Sequence, residues 1–386
     1  MNSEISLILT LSILIWISPF VAKLFRMPTP PIEILLGSIF AYSGLLYKNS
    51  YFDLIAQIGF LYLMFLAGME VNLKQIAGSS GKMIKSAAMF IITMVILAVT
   101  AGVVLNFDPI VIISLPLISI GMLAPLVKTY GKKTSWLRQA IIVGVLGEIV
   151  SITALTVLDA AGSVGFSWKL LIEVGYLALF IFLIYILYRL LHLLFWWFPE
   201  LKNILMPRAD TSDQDIRLAM SLFFILISLM LALKLELALG AFIGGVAISA
   251  FFHHEKSLEE KMSSLGFGFL VPIFFIHVGT SFDLNSLVIP GVLSGGALIM
   301  AVMILIRIIS AFQLRRISGS EDAFLVALSL SMPLTLFIAV ATIGYTTNNI
   351  GILVYYKMIL ASLFEIIFSM TVIKVLLKRK ISKREK

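Results

Sequence analysis

The chain of 386 residues contains no cysteine, which excludes disulfides, Cys-ligated zinc, iron–sulfur centres and thiol catalysis. Charge is scarce too: Asp, Glu, Lys and Arg make up 13% of the chain, about half the share of a soluble domain at roughly 25%. Long hydrophilic stretches are missing. The longest, 198–217, reads as a loop, so no appended soluble regulatory domain is expected. No nucleotide motif is present either: Gly131-Lys132-Lys133-Thr134 ends like a phosphate-binding loop, but Leu126 stands where its first glycine should be. His253-His254 lack nearby partners for a metal site, and no nucleophile–base pair stands out. An enzyme, a nucleotide-driven pump and a cofactor-dependent protein are all disfavoured, and no cofactor is expected.

What the chain has in abundance is apolar surface, 60% of residues with a mean hydropathy of +1.06. Such a chain belongs in a bilayer. At roughly 20 apolar residues per span there is room for eleven or twelve helices. Apolar runs between charged or Pro/Gly breaks give thirteen candidates, near 5–22, 31–47, 52–70, 86–105, 109–127, 138–158, 170–195, 216–233, 235–252, 262–281, 290–313, 322–346 and 351–376. The first run lacks a positive leader and a small-residue cleavage site before Arg26, so it reads as a span.

Sorting the basic residues by side supports that count. With the N-terminus outside, the cytoplasmic side receives Lys23 and Arg26; Lys74, Lys82 and Lys85; Lys128, Lys132, Lys133 and Arg138; Arg189, Lys202, Arg208 and Arg217; Lys256 and Lys261; Arg315 and Arg316; and seven from Lys374 to Lys386. That is 24 of the 29, against Lys48, Lys169, Lys234 and Lys357 outside. The split is the positive-inside pattern, so the surplus of eight positive charges reads as loop charge and not as a nucleic-acid surface. An N-out, C-in protein of the cell (inner) membrane is expected, with the basic run at the C-terminus in contact with lipid headgroups.

Two spans carry proline at mid-length, in Ser114-Leu-Pro116-Leu and Ser331-Met-Pro333-Leu. Proline removes a backbone hydrogen bond, and irregular backbone at membrane depth survives only where protein or a water-filled cavity satisfies it. The two spans occupy equivalent places if six spans on either side of a linker helix, 170–195, form inverted repeats. The expected organisation is one membrane transport domain, 1–380, with repeats of about 1–160 and 215–377, and a short basic tail, 381–386. Gly240 and Gly244 mark close helix contact.

Charges inside spans are costly and therefore informative. Glu148 lies at the centre of its span, where loss of water makes a carboxyl able to be emptied and refilled with a proton. Arg307 occupies the middle of the span at 290–313 and cannot lose its charge; it needs an anion, for which Glu148 is the best candidate. Glu33, after Pro31, is a span-end acid that caps, pairs locally or functions. Glu365 has Lys357 and Lys374 along its helix, which favours structure, and His277 reads as a core histidine or a proton relay.

Several strings then carry a resemblance along almost the whole chain. Met27-Pro-Thr-Pro-Pro-Ile-Glu33-Ile-Leu-Leu-Gly37, Ile58-Gly-Phe-Leu-Tyr-Leu-Met-Phe-Leu-Ala-Gly-Met-Glu70, Leu239-Gly-Ala-Phe-Ile-Gly-Gly-Val and Pro272-Ile-Phe-Phe-Ile-His-Val-Gly-Thr-Ser-Phe-Asp283-Leu resemble, in order, motifs of the monovalent cation:proton antiporter-2 family, the Kef-type and sodium/proton exchangers. The resemblance implies an all-α polytopic protein of about thirteen transmembrane helices, two inverted six-helix repeats with crossed discontinuous helices at Pro116 and Pro333, and a homodimer. It implies exchange of H⁺ for Na⁺ or K⁺, with no metal beyond the transported cation. Gly147-Glu148 falls at the family's ion-carrying acid pair, with Glu148 as the second acid, and Arg307 matches its basic residue. Gly147 offers no side-chain ligand, and of Ile118-Ser119-Ile120 only Ser119 keeps a hydroxyl where the family has several. One titratable acid favours electroneutral exchange. A gated Kef-like efflux channel and a transport-degenerate membrane scaffold or sensor are the alternatives.

Overall fold

A computed structural model describes residues 3–25, 29–71, 78–121, 123–131, 134–164, 213–233, 235, 237–252 and 256–384, with scattered positions between 175 and 200. Among the described residues there is no strand. The helices are α1 (Ser3–Phe25), α2 (Thr29–Tyr42), α3 (Ser50–Met69), α4 (Gly81–Val104), α5 (Pro109–Ser114), α6 (Leu123–Tyr130), α7 (Ser135–Val164), α8 (Gln214–Leu233), α9 (Leu237–Phe252), α10 (Lys256–Leu265), α11 (Val271–Thr280), α12 (Val292–Ser310), α13 (Ser320–Ser329), α14 (Leu334–Thr346) and α15 (Ile352–Arg384). Each expected span coincides with one of these or with an interrupted pair. The exception is the linker helix 170–195, most of which lies outside the described residues, as do Lys132, Lys133, His253 and His254. Helix α15 continues to Arg384 and so takes in most of the expected tail. Among the described residues eight helical runs are long and apolar enough to cross a membrane, with α10 and α11 counted as one run through Leu258–Thr280, and α13 with α14, bent by 43°, makes a ninth.

Helix is what these runs must form, because a bilayer offers no water to unpaired amides. Their ends are marked by the sequence. The Asn49 side chain accepts from the Phe52 amide at 2.7 Å ahead of α3, and Ser80 accepts from Met83 ahead of α4, each relieving a first-turn amide. Pro109 opens α5, where its missing N–H costs nothing. Between α10 and α11 the backbone widens into a π-turn, Gly266–Leu270, with the Val271 amide reaching back to Gly266. Pro272 follows directly, and a local π-turn is one way a helix absorbs its ring and missing donor.

The chain divides into two compact units. One comprises Met1–Asp53, Gly78–Ala154 and Phe275–Lys386; the other comprises Leu54–Ala77 and Leu155–Phe274. In the second unit α3 meets α9 backbone to backbone: a Cβ on Gly245 would overlap the Phe65 carbonyl, and one on Gly68 the Phe242 carbonyl. The tightest glycine there is therefore Gly245; a Cβ at the expected Gly244 would meet only side chains, at 3.3–3.4 Å. Tyr62 donates to the Met262 carbonyl at 3.1 Å, and Lys261 pairs with Asp215 at 3.0 Å.

The first unit repeats this device. A Cβ on Gly37 of α2 would overlap the Ile276 carbonyl, and one on Gly279 of α11 would overlap the Ile34 carbonyl and lie 2.9 Å from the Cα of Gly37. Ser38 donates to the Gly279 carbonyl at 2.9 Å across the same contact. No flexible side chain can yield there, so Gly279→Ala is expected to force the helices apart and destabilise the protein by about 1–3 kcal/mol, the usual range for overpacking. Thermal unfolding in detergent should drop for Gly279→Ala and stay unchanged for Gly268→Ala, whose Cβ would meet nothing within 4 Å.

Candidate ion-binding site

The two prolines break their spans differently from mid-helix kinks. Helix α5 stops at Ser114, and regular helix resumes only at Leu123. Helix α13 stops at Ser329, and Pro333, with φ −80° and ψ 40°, stands immediately before α14. Each break releases amides and carbonyls that need partners when buried. Their partners are the chemically informative side chains. The Ile118 amide donates to Ser151 Oγ at 2.8 Å, and the Ile120 amide donates to Glu148 Oε2 at 2.5 Å. Arg307 donates from Nη2 to the Leu117 carbonyl at 2.5 Å and from Nε to the Leu330 carbonyl at 3.1 Å. One guanidinium thus ties both breaks together.

Helix α7 presents Gly144, Gly147, Glu148 and Ser151 on one face, as the i, i+3, i+4, i+7 spacing requires. A Cβ on Gly147 would overlap Ile118 Cδ1 and lie 2.8 Å from Ile118 Cβ, and one on Gly144 would lie 2.6 Å from Ile120 Cγ2. Gly147, placed with the ion-binding residues by the resemblance, has its Cβ position filled by Ile118. It supplies room for the break to lie against α7, and no ligand.

Glu148 is 0% exposed. Its Oε1 lies 3.5 Å from Ser119 Oγ, which is 3.4 Å from Thr335 Oγ1 at the start of α14. A carboxylate, two hydroxyls and the Ile120 amide converge from α7 and both breaks. Oxygen-rich, irregular backbone of this kind suits a monovalent cation or a proton.

Arg307 sits in the last turn of α12 and not at its centre. Its Nη1 donates to the Met303 carbonyl at 2.9 Å and lies 3.6 Å from Glu365 Oε1. The ion pair seen for Arg307 is therefore with Glu365, where Glu148 was expected. Glu365, read as a structural acid near Lys357 and Lys374, instead faces the base at the crossing of the breaks. Glu33 and His277 stand elsewhere. Ser18 donates to Glu33 Oε1 at 3.1 Å, joining α1 to α2, and His277 Nε2 lies 2.7 Å from Asp53 Oδ1, with its ring edge-on to Phe52.

Sequence reasoning missed Thr335, Ser151 and the role of Glu365. A usable signal existed for the first two. Ser119 and Thr335 follow Pro116 and Pro333 by three and two residues, and Ser151 lies one helical turn beyond Glu148. Nothing in the sequence pairs Glu365 with Arg307, because the two are on different helices.

Comparison with known proteins assigns this all-helical membrane fold, with its buried acid beside two broken spans, to a family. A model described as "Sodium/hydrogen exchanger, transmembrane" matches residues 8–379, and the chain belongs to that family. It is 25% identical over 413 residues to the putative Na⁺/H⁺ antiporter YjbQ of Bacillus subtilis, a match covering all of this chain and 65% of that protein. It is 30% identical over 173 residues to the probable Na⁺/H⁺ antiporter 3 of Methanocaldococcus jannaschii, covering 42% of this chain and 37% of that protein. The chain thus spans less than two thirds of the first relative's length. The structure of the sodium proton antiporter MjNhaP1 from Methanocaldococcus jannaschii superposes with a TM-score of 0.68 at 16% identity, covering 97% of this chain and 99% of that one. The likeness shows a shared fold.

Proposed function

We propose that the protein is a secondary antiporter exchanging one Na⁺ or K⁺ for one H⁺ by alternating access. The observation that carries this is the placement of Glu148, fully buried, with Ser119 and Thr335 hydroxyls beside it. A single carboxylate there holds either a proton or a cation, and competition for it couples the two fluxes. Pro116 and Pro333 create the unwound segments that complete the site, and Arg307, with Glu365 beside it, ties those segments together. The relatives' names, which describe Na⁺/H⁺ antiporters, support Na⁺ and H⁺ as substrates; K⁺ rests on the motif resemblance.

Several finer features belong to this reading. The Kef-type affiliation and the homodimer rest on the motif resemblance, as do thirteen spans in inverted repeats of about 1–160 and 215–377. The N-out, C-in orientation rests on the one-sided distribution of Lys and Arg. Purified protein reconstituted in liposomes with an imposed pH gradient is the test. Addition of Na⁺ or K⁺ on one side is expected to collapse the gradient, without dependence on membrane potential if exchange is one for one. A gradient that neither cation disturbs would sink the proposal, and single-channel currents would favour a channel.

A further inference from the structure

Among the described residues, the charged side chains with no exposure at all are Glu148, Arg307 and Glu365. All three lie in one unit of the chain. The contact between Arg307 and Glu365 is unlike a lock between helices. A stabilising buried pair is normally close, bidentate and hydrogen-bonded. Here Arg307 directs Nε, Nη1 and Nη2 to the carbonyls of Leu330, Met303 and Leu117. Glu365 is left at 3.6 Å, with neither carboxylate oxygen accepting a hydrogen bond. Ser369, one turn along α15, is likewise buried with its hydroxyl unpartnered. A carboxylate held in that way contributes its charge and little else.

The base itself is needed for geometry, because its fork ties the two breaks together. Its positive charge is a liability beside a cation site. Arg307 grips Leu117 and Glu148 grips Ile120, three residues apart in one broken segment. At about 3.3–3.6 Å per residue the two charges stand within roughly 10–15 Å. We propose that Glu365 is the counter-charge that offsets Arg307, so that the base does not oppose a cation held at Glu148. Glu365 is then a positioning residue for charge and does not itself carry the ion. The inference rests on the antiport reading and adds to it the residue that sets the strength of cation binding.

Removing the Glu365 charge leaves Arg307 uncompensated. A unit charge within about 15 Å, at an effective dielectric near 20, changes cation affinity by roughly fivefold or more. The experiment measures the rate of gradient collapse against cation concentration in proteoliposomes of the full chain. In Glu365→Gln the KM for the cation is expected to rise about tenfold, with a smaller fall in the maximal rate. Glu365→Asp, which keeps the charge, should hold KM within about threefold of the wild type. Adding Ser369→Asp to Glu365→Gln restores a carboxylate one turn away on the same helix face and should bring KM back. A KM unchanged in Glu365→Gln, or raised tenfold in Glu365→Asp, overturns the counter-charge. So does a loss of maximal rate at unchanged KM, which would make Glu365 a carrier. Should Glu365→Gln not fold, the Asp variant still decides by its KM. Wild-type protein that answers to neither Na⁺ nor K⁺ overturns the antiport reading, and the counter-charge with it.

Discussion

Glu148→Gln is expected to abolish cation-driven proton movement while leaving the protein folded. The amide has the size of the carboxyl, and its oxygen can still accept from the Ile120 amide, so the break keeps its partner. What is lost is the capacity to release a proton and to balance a cation. A charge at about 4 Å with an effective dielectric near 20 is worth about 4 kcal/mol, which lowers cation affinity on the order of a thousandfold. Flux measured in everted vesicles should fall to the leak level, with unchanged protein amount and unfolding temperature. Undiminished flux in this variant would remove Glu148 from the ion site. Glu148→Ala should lose flux equally and also stability, because it strands the Ile120 amide in a buried place.

Arg307→Ala is expected to have the largest structural effect of any single change at the site. The Leu117 and Leu330 carbonyls lose this donor, the Met303 carbonyl keeps only its helical amide, and Glu365 becomes a buried charge without its base. Breaking a buried pair by removing one partner costs about 3–5 kcal/mol, and stranded carbonyls add about 1–3 kcal/mol each, less than additively because they share one side chain. The sum is comparable with the roughly 5–15 kcal/mol that holds a typical domain folded. Little monodisperse protein should survive size-exclusion chromatography in detergent. Arg307→Lys keeps the charge but not the planar fork, so it should fold with a lowered unfolding temperature. A wild-type unfolding temperature for Arg307→Ala would show that the breaks find other donors.

Much of this arrangement can be read from the chain. The repeated Ser-x-Pro-Leu marks both interruptions, because proline cannot donate to the helix ladder. Glu148 and Arg307 announce themselves by lying in apolar runs where charge is costly. Other features are not legible in that way. Ile120 has an apolar side chain, yet its amide is the partner of Glu148; every residue but proline carries such an amide, and only an unwound backbone frees it for use. Gly147 looks like a missing ligand until Ile118 is seen filling its place. Glu365 has lysines along its own helix, and helical spacing suggested them as neighbours, but the helix turns that face toward Arg307.

The sequence alone determined that this protein lives in a bilayer, where its apolar runs lie, where two of them break, and which acid lies buried among them. Each of these depends on local quantities: apolar run length, the missing proline donor and the cost of burying charge. Tertiary structure alone decided that Arg307 ties both breaks together, that Glu365 is its counter-ion and that Thr335 joins Ser119 beside Glu148. Those relations depend on how helices far apart in the chain are rotated against one another, and shape complementarity between packed side chains fixes that rotation.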